Sequence, residues 1–160
     1  MEYVHHYSNQ NKEKIQENKE RYKPWRNELN RNRWQNDLGY RIKCNLRNRL
    51  YIALNGTAKS CKTIELLGCT LDFFKSWITF QFYDGMEWNN YGQYFHLDNV
   101  RPYISFDLVD PEQQMICFNW KNMAPLRADK NISKHGNRNM FTECLQELKV
   151  KVFLSLNNQQ

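Results

Sequence analysis

The stretch from Tyr94 to His135 constrains this chain most. Phe95, Leu97 and Val100 are β-formers set around polar His96 and Asp98, the alternation of a half-buried strand. Asp110 before Pro111 is a helix-start signal, so one or two helical turns are predicted over Pro111–Phe118, inside a long connection. A second short strand follows, closed by Pro125. Asp129 or a near neighbour begins a short helix that Gly136 ends. The order strand, connection, strand, helix predicts an α+β fold, with a small hairpin-helix core surrounded by helices.

The polar residues of this stretch carry chemistry. Asp98 ends the first strand, and Asn131 lies in the following helix, four residues before His135 on the same helix face. One carboxylate and one amide oxygen, with room for water and phosphate oxygens, suit Mg²⁺ (or Mn²⁺). His135 reads either as an extra metal ligand or as a surface histidine.

Charge points to an anionic partner. The net charge is +6 over 160 residues. The first 50 residues hold about 12 Lys/Arg against 6 Asp/Glu, and the rest is balanced, so the excess sits at the N-terminal end, in a basic arm, residues 1–39, and the helix directly after it. Within the arm Asn11–Ile15 and Asn18–Tyr22 resemble two copies of one unit, and Pro24 is expected to interrupt any long helix. Trp25 and Trp34 among arginines read as base-stacking groups on a phosphate-tracking arm, or as anchors docked on the body.

Helical periodicity organises the rest. Ile42, Leu46, Leu50 and Leu54 form an i, i+4 stripe on a helix over Tyr40–Leu54 that Asn55-Gly56 stops. Arg41, Lys43, Arg47 and Arg49 occupy its other faces, toward water or phosphate. Ile64–Leu67 reads as a helical turn stopped by Gly68, and Thr70 as the N-cap of a helix whose Phe73, Phe74, Trp77, Ile78 and Phe82 form core. Asp84-Gly85 turns the chain. Over 137–160, Phe141, Leu145, Leu148 and Val152 form a second stripe, expected to pack back on the body or to make a homodimer seam, which leaves monomer and homodimer both open.

Cysteine usage and hydropathy bound the setting. Five cysteines without a CxxC pair argue against a zinc ribbon or a disulfide framework, and for reduced, mostly buried thiols in an intracellular protein. No run approaches the ~20 apolar residues of a membrane span, and Met1–His6 has no apolar signal-peptide core.

Three ordered segments carry a family resemblance: Phe95-His96-Leu97-Asp98-Asn99-Val100-Arg101-Pro102, then Asn122-Met123-Ala124-Pro125-Leu126, then Lys130-Asn131-Ile132-Ser133-Lys134. Together they resemble the HNH, or ββα-metal, motif of homing-type endonucleases of phages and large DNA viruses. The likeness extends upstream through Glu65–Cys69 and Gly85–Gly92 and covers roughly residues 40–135. It implies a nuclease hydrolysing phosphodiester bonds of double-stranded DNA with one divalent metal. It also implies that Asp98 and Asn131 hold the ion and that Asn122 orients the general base.

The family's pattern has its basic histidine directly after the aspartate, and this chain has Asn99 there. An amide does not accept a proton near pH 7, and losing a general base costs roughly 10²–10⁴ in rate. The resemblance therefore implies a chain that binds metal and DNA and cuts poorly, or a DNA-binding module on a retired nuclease fold. Rescue by His96 would need a bulge, because strand alternation puts 96 and 98 on one face and 99 on the other. Arg101, beside the metal site, is the leading candidate for a phosphate contact, with Lys121, Arg127, Lys130, Lys134, Arg41, Arg47 and Arg49 as further backbone contacts.

Overall fold

The computed structural model describes residues 2–54, 58–134 and 136–157. The stop expected at Asn55-Gly56, His135 and the last three residues lie outside them. The chain divides into two units, 1–44 and 45–160. The fold is α+β, with helices around one two-stranded sheet.

The first unit holds helix α1 (Glu2–Asn36) and the first turns of α2 (Leu38–Leu54). Helix α1 runs through Pro24, contrary to the expected interruption. A proline removes one backbone hydrogen bond. The described side chains of α1 from residue 11 onward are all exposed, so water can take the orphaned carbonyl. Trp25 and Trp34 are among these exposed side chains. Asp37 opens α2, its Oδ1 accepting from the Tyr40 backbone N–H at 2.8 Å. The Arg33 guanidinium lies 4.3 Å from the centre of the Tyr40 ring.

In the second unit Leu46, Leu50 and Leu54 of the α2 stripe are buried as expected. Leu50 and Leu54 join Leu66, Cys117 and Phe118 in one cluster. Helix α3 (Thr63–Leu67) ends at Gly68, whose φ of 73° is the left-handed cap conformation. A side chain there is strained at that φ, and its Cβ would push aside the Asn119 amide at 2.6 Å. Helix α4 (Leu71–Phe80) starts on Thr70, which accepts from the Phe73 N–H, and it buries Phe74, Trp77 and Ile78.

Strand β1 (Phe95–Asn99) pairs antiparallel with β2 (Met123–Arg127), Leu97 facing Pro125 and Asn99 facing Met123. Pro125 therefore sits inside the second strand rather than closing it. β2 has a strand on one side only, where a missing N–H is tolerated. Between the strands comes α5 (Pro111–Cys117), capped by Asp110 as expected. After them come α6 (Ala128–Lys134) and α7 (Met140–Asn157).

Helix α7 departs from its sequence reading. Phe141, Leu145, Leu148 and Val152 are 41–76% exposed, while Gln146 and Phe153 are buried. At ~100° per residue the buried face lies roughly 120° around the helix from the apolar stripe. Phe153 is what docks the helix, its ring 5.2 Å from Trp77 and 5.4 Å from Phe73. Gln146 assists by donating to the carbonyls of Lys121 and Met123 at 2.9 and 3.1 Å.

The cysteines also differ from expectation. All five are free thiols, but only Cys117 is buried and Cys144 is exposed. Among the described residues no helix is long and apolar enough to cross a membrane.

Candidate functional site

The hairpin and α6 build a polar corner. Along β1 burial alternates, so Phe95, Leu97 and Asn99 face inward while His96 and Asp98 face the other way. No bulge interrupts the pairing of 95–99 with 123–127. His96 and Asp98 therefore share a face and Asn99 does not, as the strand periodicity required.

Asn99 is 5% exposed and fully engaged at both ends of its amide. Its Nδ2 donates to the Cys117 carbonyl at 2.8 Å. Its Oδ1 accepts from Arg49 Nη2 at 2.6 Å. Arg49 reaches this point from the polar side of α2, whose apolar side is buried beneath it.

Asp98 is held by two cations. Oδ1 accepts from Arg49 Nη2 at 3.3 Å, and Oδ2 from Lys134 Nζ at 2.8 Å. The three side chains are 19–29% exposed. Lys134 is cradled further by the backbone carbonyls of Asn99 and Val100, at 2.5 and 3.1 Å, so three oxygens surround its ammonium. Helix α6 supplies this lysine from its last turn, and one turn earlier Asn131, whose Nδ2 lies 3.1 Å from His96 Nδ1. An amide nitrogen only donates, so Nδ1 of His96 acts as the acceptor.

Asn122 is a structural staple. Its Oδ1 accepts from the Arg101 N–H at 2.8 Å, and its Nδ2 donates to the carbonyls of Arg101 and Cys117 at 3.0 and 2.8 Å. With the Val100 N–H on the Asn122 carbonyl, the two ends of the connection are tied at one neck. The Cys117 carbonyl thus receives both Asn99 and Asn122. Burial pushes the Cys117 thiol up to about 12, although Arg49 and Arg101 pull the other way, so the thiol stays protonated.

A pocket of about 240 Å³ opens at this corner, lined by Arg49, Asp98, Asn99, Tyr103, Asn131 and Lys134 among others. Asp98 is the one carboxylate among the lining residues, so two positive charges face one negative. A larger groove of about 740 Å³ runs beside α7. It mixes apolar Met115, Ile116 and Met140 with Arg101, Lys121, Arg138 and Glu143, whereas the smaller pocket holds the residues that the motif spacing singled out.

The remaining charged residues named from sequence lie in varied settings. Arg101 is tied to its own loop, donating to Ser105 Oγ and O at 3.1 and 2.9 Å and stacking 4.1 Å over Phe106. Arg127 pairs with Asp84 at 2.6 Å and Asp129 at 3.2 Å, which raises its own pKa and lowers that of Asp129. Lys121 and Lys130 are exposed, as is Arg47 on α2. Arg41 belongs to the first unit, 1–44, and the site to the second. Sequence reasoning brought Asp98, Asn99, Asn122, Asn131 and Lys134 to one region. It missed the Cys117 carbonyl and the pairing of Arg49 with Asp98, which has no local signature across 49 residues.

No family model matches the chain, and no solved structure matches it. It is similar to two uncharacterized proteins of Acanthamoeba polyphaga mimivirus. Protein L246 is 40% identical over 121 residues, covering 76% of this chain and 53% of the relative. Protein L426 is 43% identical over 109 residues, covering 68% and 48%. The chain spans about half the length of the curated relatives it matches.

Proposed function

We propose that this chain is a DNA-binding module on an HNH-type endonuclease scaffold, with cleavage impaired at position 99. The observation that carries the reading is the seat of the Asn99 amide. Its Nδ2 donates to the Cys117 carbonyl at 2.8 Å, which holds the amide in place. Its other end is an oxygen bonded to Arg49, with no lone pair basic enough to deprotonate water. The order hairpin, then α6, and the gathering of Asp98, Asn99, Asn122, Asn131 and Lys134 around one neck support the scaffold assignment.

Asp98 and Asn131 offer the oxygen types that Mg²⁺ takes. In the arrangement found, however, both carboxylate oxygens of Asp98 are already held by cations, so the set does not fit a divalent ion as it stands.

The test pairs duplex binding, followed by fluorescence anisotropy, with supercoiled-plasmid cleavage in Mg²⁺ or Mn²⁺. The intact chain is expected to bind duplex and leave the plasmid uncut. Nicking that appears only in Asn99→His makes the missing proton acceptor the obstacle. Equal cutting by the intact chain and the variant overturns the impairment, and failure to bind duplex overturns the module.

A further inference from the structure

Two cations on one carboxylate leave a question of purpose. A carboxylate that serves only to hold one cation needs one partner, and here it has two, both partly buried in a lined pocket. We propose, building on the DNA-binding reading, that the pocket takes one backbone phosphate of a DNA strand directly on Arg49, with the Lys134 ammonium beside it offsetting the Asp98 carboxylate, without a bridging divalent ion.

Geometry supports this in three ways. Lys134 Nζ occupies an oxygen cradle made by Asp98 Oδ2 and the carbonyls of Asn99 and Val100, the surroundings a metal ion would seek. The built-in ammonium thus supplies positive charge where the resemblance calls for an ion. Arg49 is aimed by two acceptors, Asp98 and Asn99, and among the described residues both bonds run through Nη2. A guanidinium has five donors in a planar fork that matches phosphate oxygens, so Nη1 and Nε remain to meet a ligand. The charge also adds up: two cations against Asp98 leave one net positive charge, the complement of one phosphodiester. Asn99 completes the arrangement, because its amide oxygen holds Arg49 in place at 2.6 Å.

The experiment measures duplex affinity of the intact chain in EDTA and in Mg²⁺, over a range of salt. Binding is expected in EDTA, at no lower affinity than in Mg²⁺. Arg49→Gln and Lys134→Gln are each expected to weaken binding and to lower the slope of log affinity on log salt by about 1, while Arg49→Lys keeps most of it. Circular dichroism of each variant separates lost binding from lost folding. If Arg49→Gln does not fold, Lys134→Gln alone carries the slope test.

Metal binding is read separately by electron paramagnetic resonance of Mn²⁺. The intact chain is expected to leave Mn²⁺ free, and Lys134→Met, by vacating the cradle, to bind it. Inorganic phosphate, titrated alone, is expected to compete with duplex only weakly. Duplex binding that requires Mg²⁺, or Mn²⁺ held by the intact chain and lost in Asp98→Asn, overturns the inference and leaves the DNA-binding reading standing. Phosphate binding as tightly as duplex reassigns the pocket to a free anion and overturns it too. Absence of duplex binding in every condition overturns both.

Discussion

Helices α2 and α7 carry the same kind of sequence signal and use it in opposite ways. Each has four apolar residues at helical spacing: Ile42, Leu46, Leu50 and Leu54 in one, Phe141, Leu145, Leu148 and Val152 in the other. The α2 stripe is buried. The α7 stripe faces outward, and the helix docks through Phe153 and Gln146 on its other side. Periodicity identifies an apolar face, but which face is covered depends on what the body offers. Around Trp77 and Trp120 the body offers an aromatic hollow that takes one ring, and Phe153 fills it. The polar side of α2 then becomes available to deliver Arg49 to the pocket.

The largest effects test that contrast directly. Phe153→Ala is expected to cost about 3–5 kcal/mol and Leu50→Ala about 2–5 kcal/mol in urea unfolding, because each empties a packed site. Leu148→Ala, with 57% of its surface already exposed, is expected to stay within about 0.5 kcal/mol. A Leu148→Ala cost matching Leu50→Ala would mean that the outer face of α7 is covered in solution.

A middle-sized effect uses one cysteine near each helix. Cys117 packs against Leu50 and Leu54, buried and with its thiol pushed up to about 12, whereas Cys144 sits exposed on α7. Iodoacetamide labelling read by mass spectrometry should modify Cys144 in the native protein and Cys117 only after unfolding. Early modification of Cys117 would show that the α2 contact opens readily.

The smallest effect concerns the start of α7. Arg138 lies 2.7 Å from Glu143, and its hydrogen bond holds the Glu143 carboxyl below the usual range. A depressed carboxyl stabilises above its unfolded pKa of about 4.3, and the contribution fades as pH falls through the folded value. Arg138 is 45% exposed, so screening keeps the term small. Glu143→Gln should cost less than about 1 kcal/mol near pH 7, and thermal melts of the two proteins should converge on acidification below about pH 4.

Much of the architecture was legible because local rules operate locally. Thr70 and Asp110 cap their helices, Gly68 ends one, and the β1 alternation sets which residues face together. The two prolines were misread for one reason: sequence does not show whether a missing N–H matters, and at Pro24 and Pro125 the neighbouring side is open. At the candidate site, motif spacing brought out the residues of the hairpin and α6. Arg49 was legible as a cation on a helix face, and its grip on Asp98 and Asn99 was not, since that depends on how α2 lies across the hairpin.

The Asn122 staple has a consequence for how this chain tolerates change. Because one amide side chain and one peptide group clamp Val100 and Arg101, the excursion from 103 to 118 leaves and returns through a fixed gate. The hairpin's register is set at that gate rather than by the length of what lies beyond it. Extra residues in the exposed turn around Val109 would lengthen the excursion without shifting the strands. The exposed turn is thus free to lengthen, while Cys117 and Phe118 further along the same segment stay fixed against the corner.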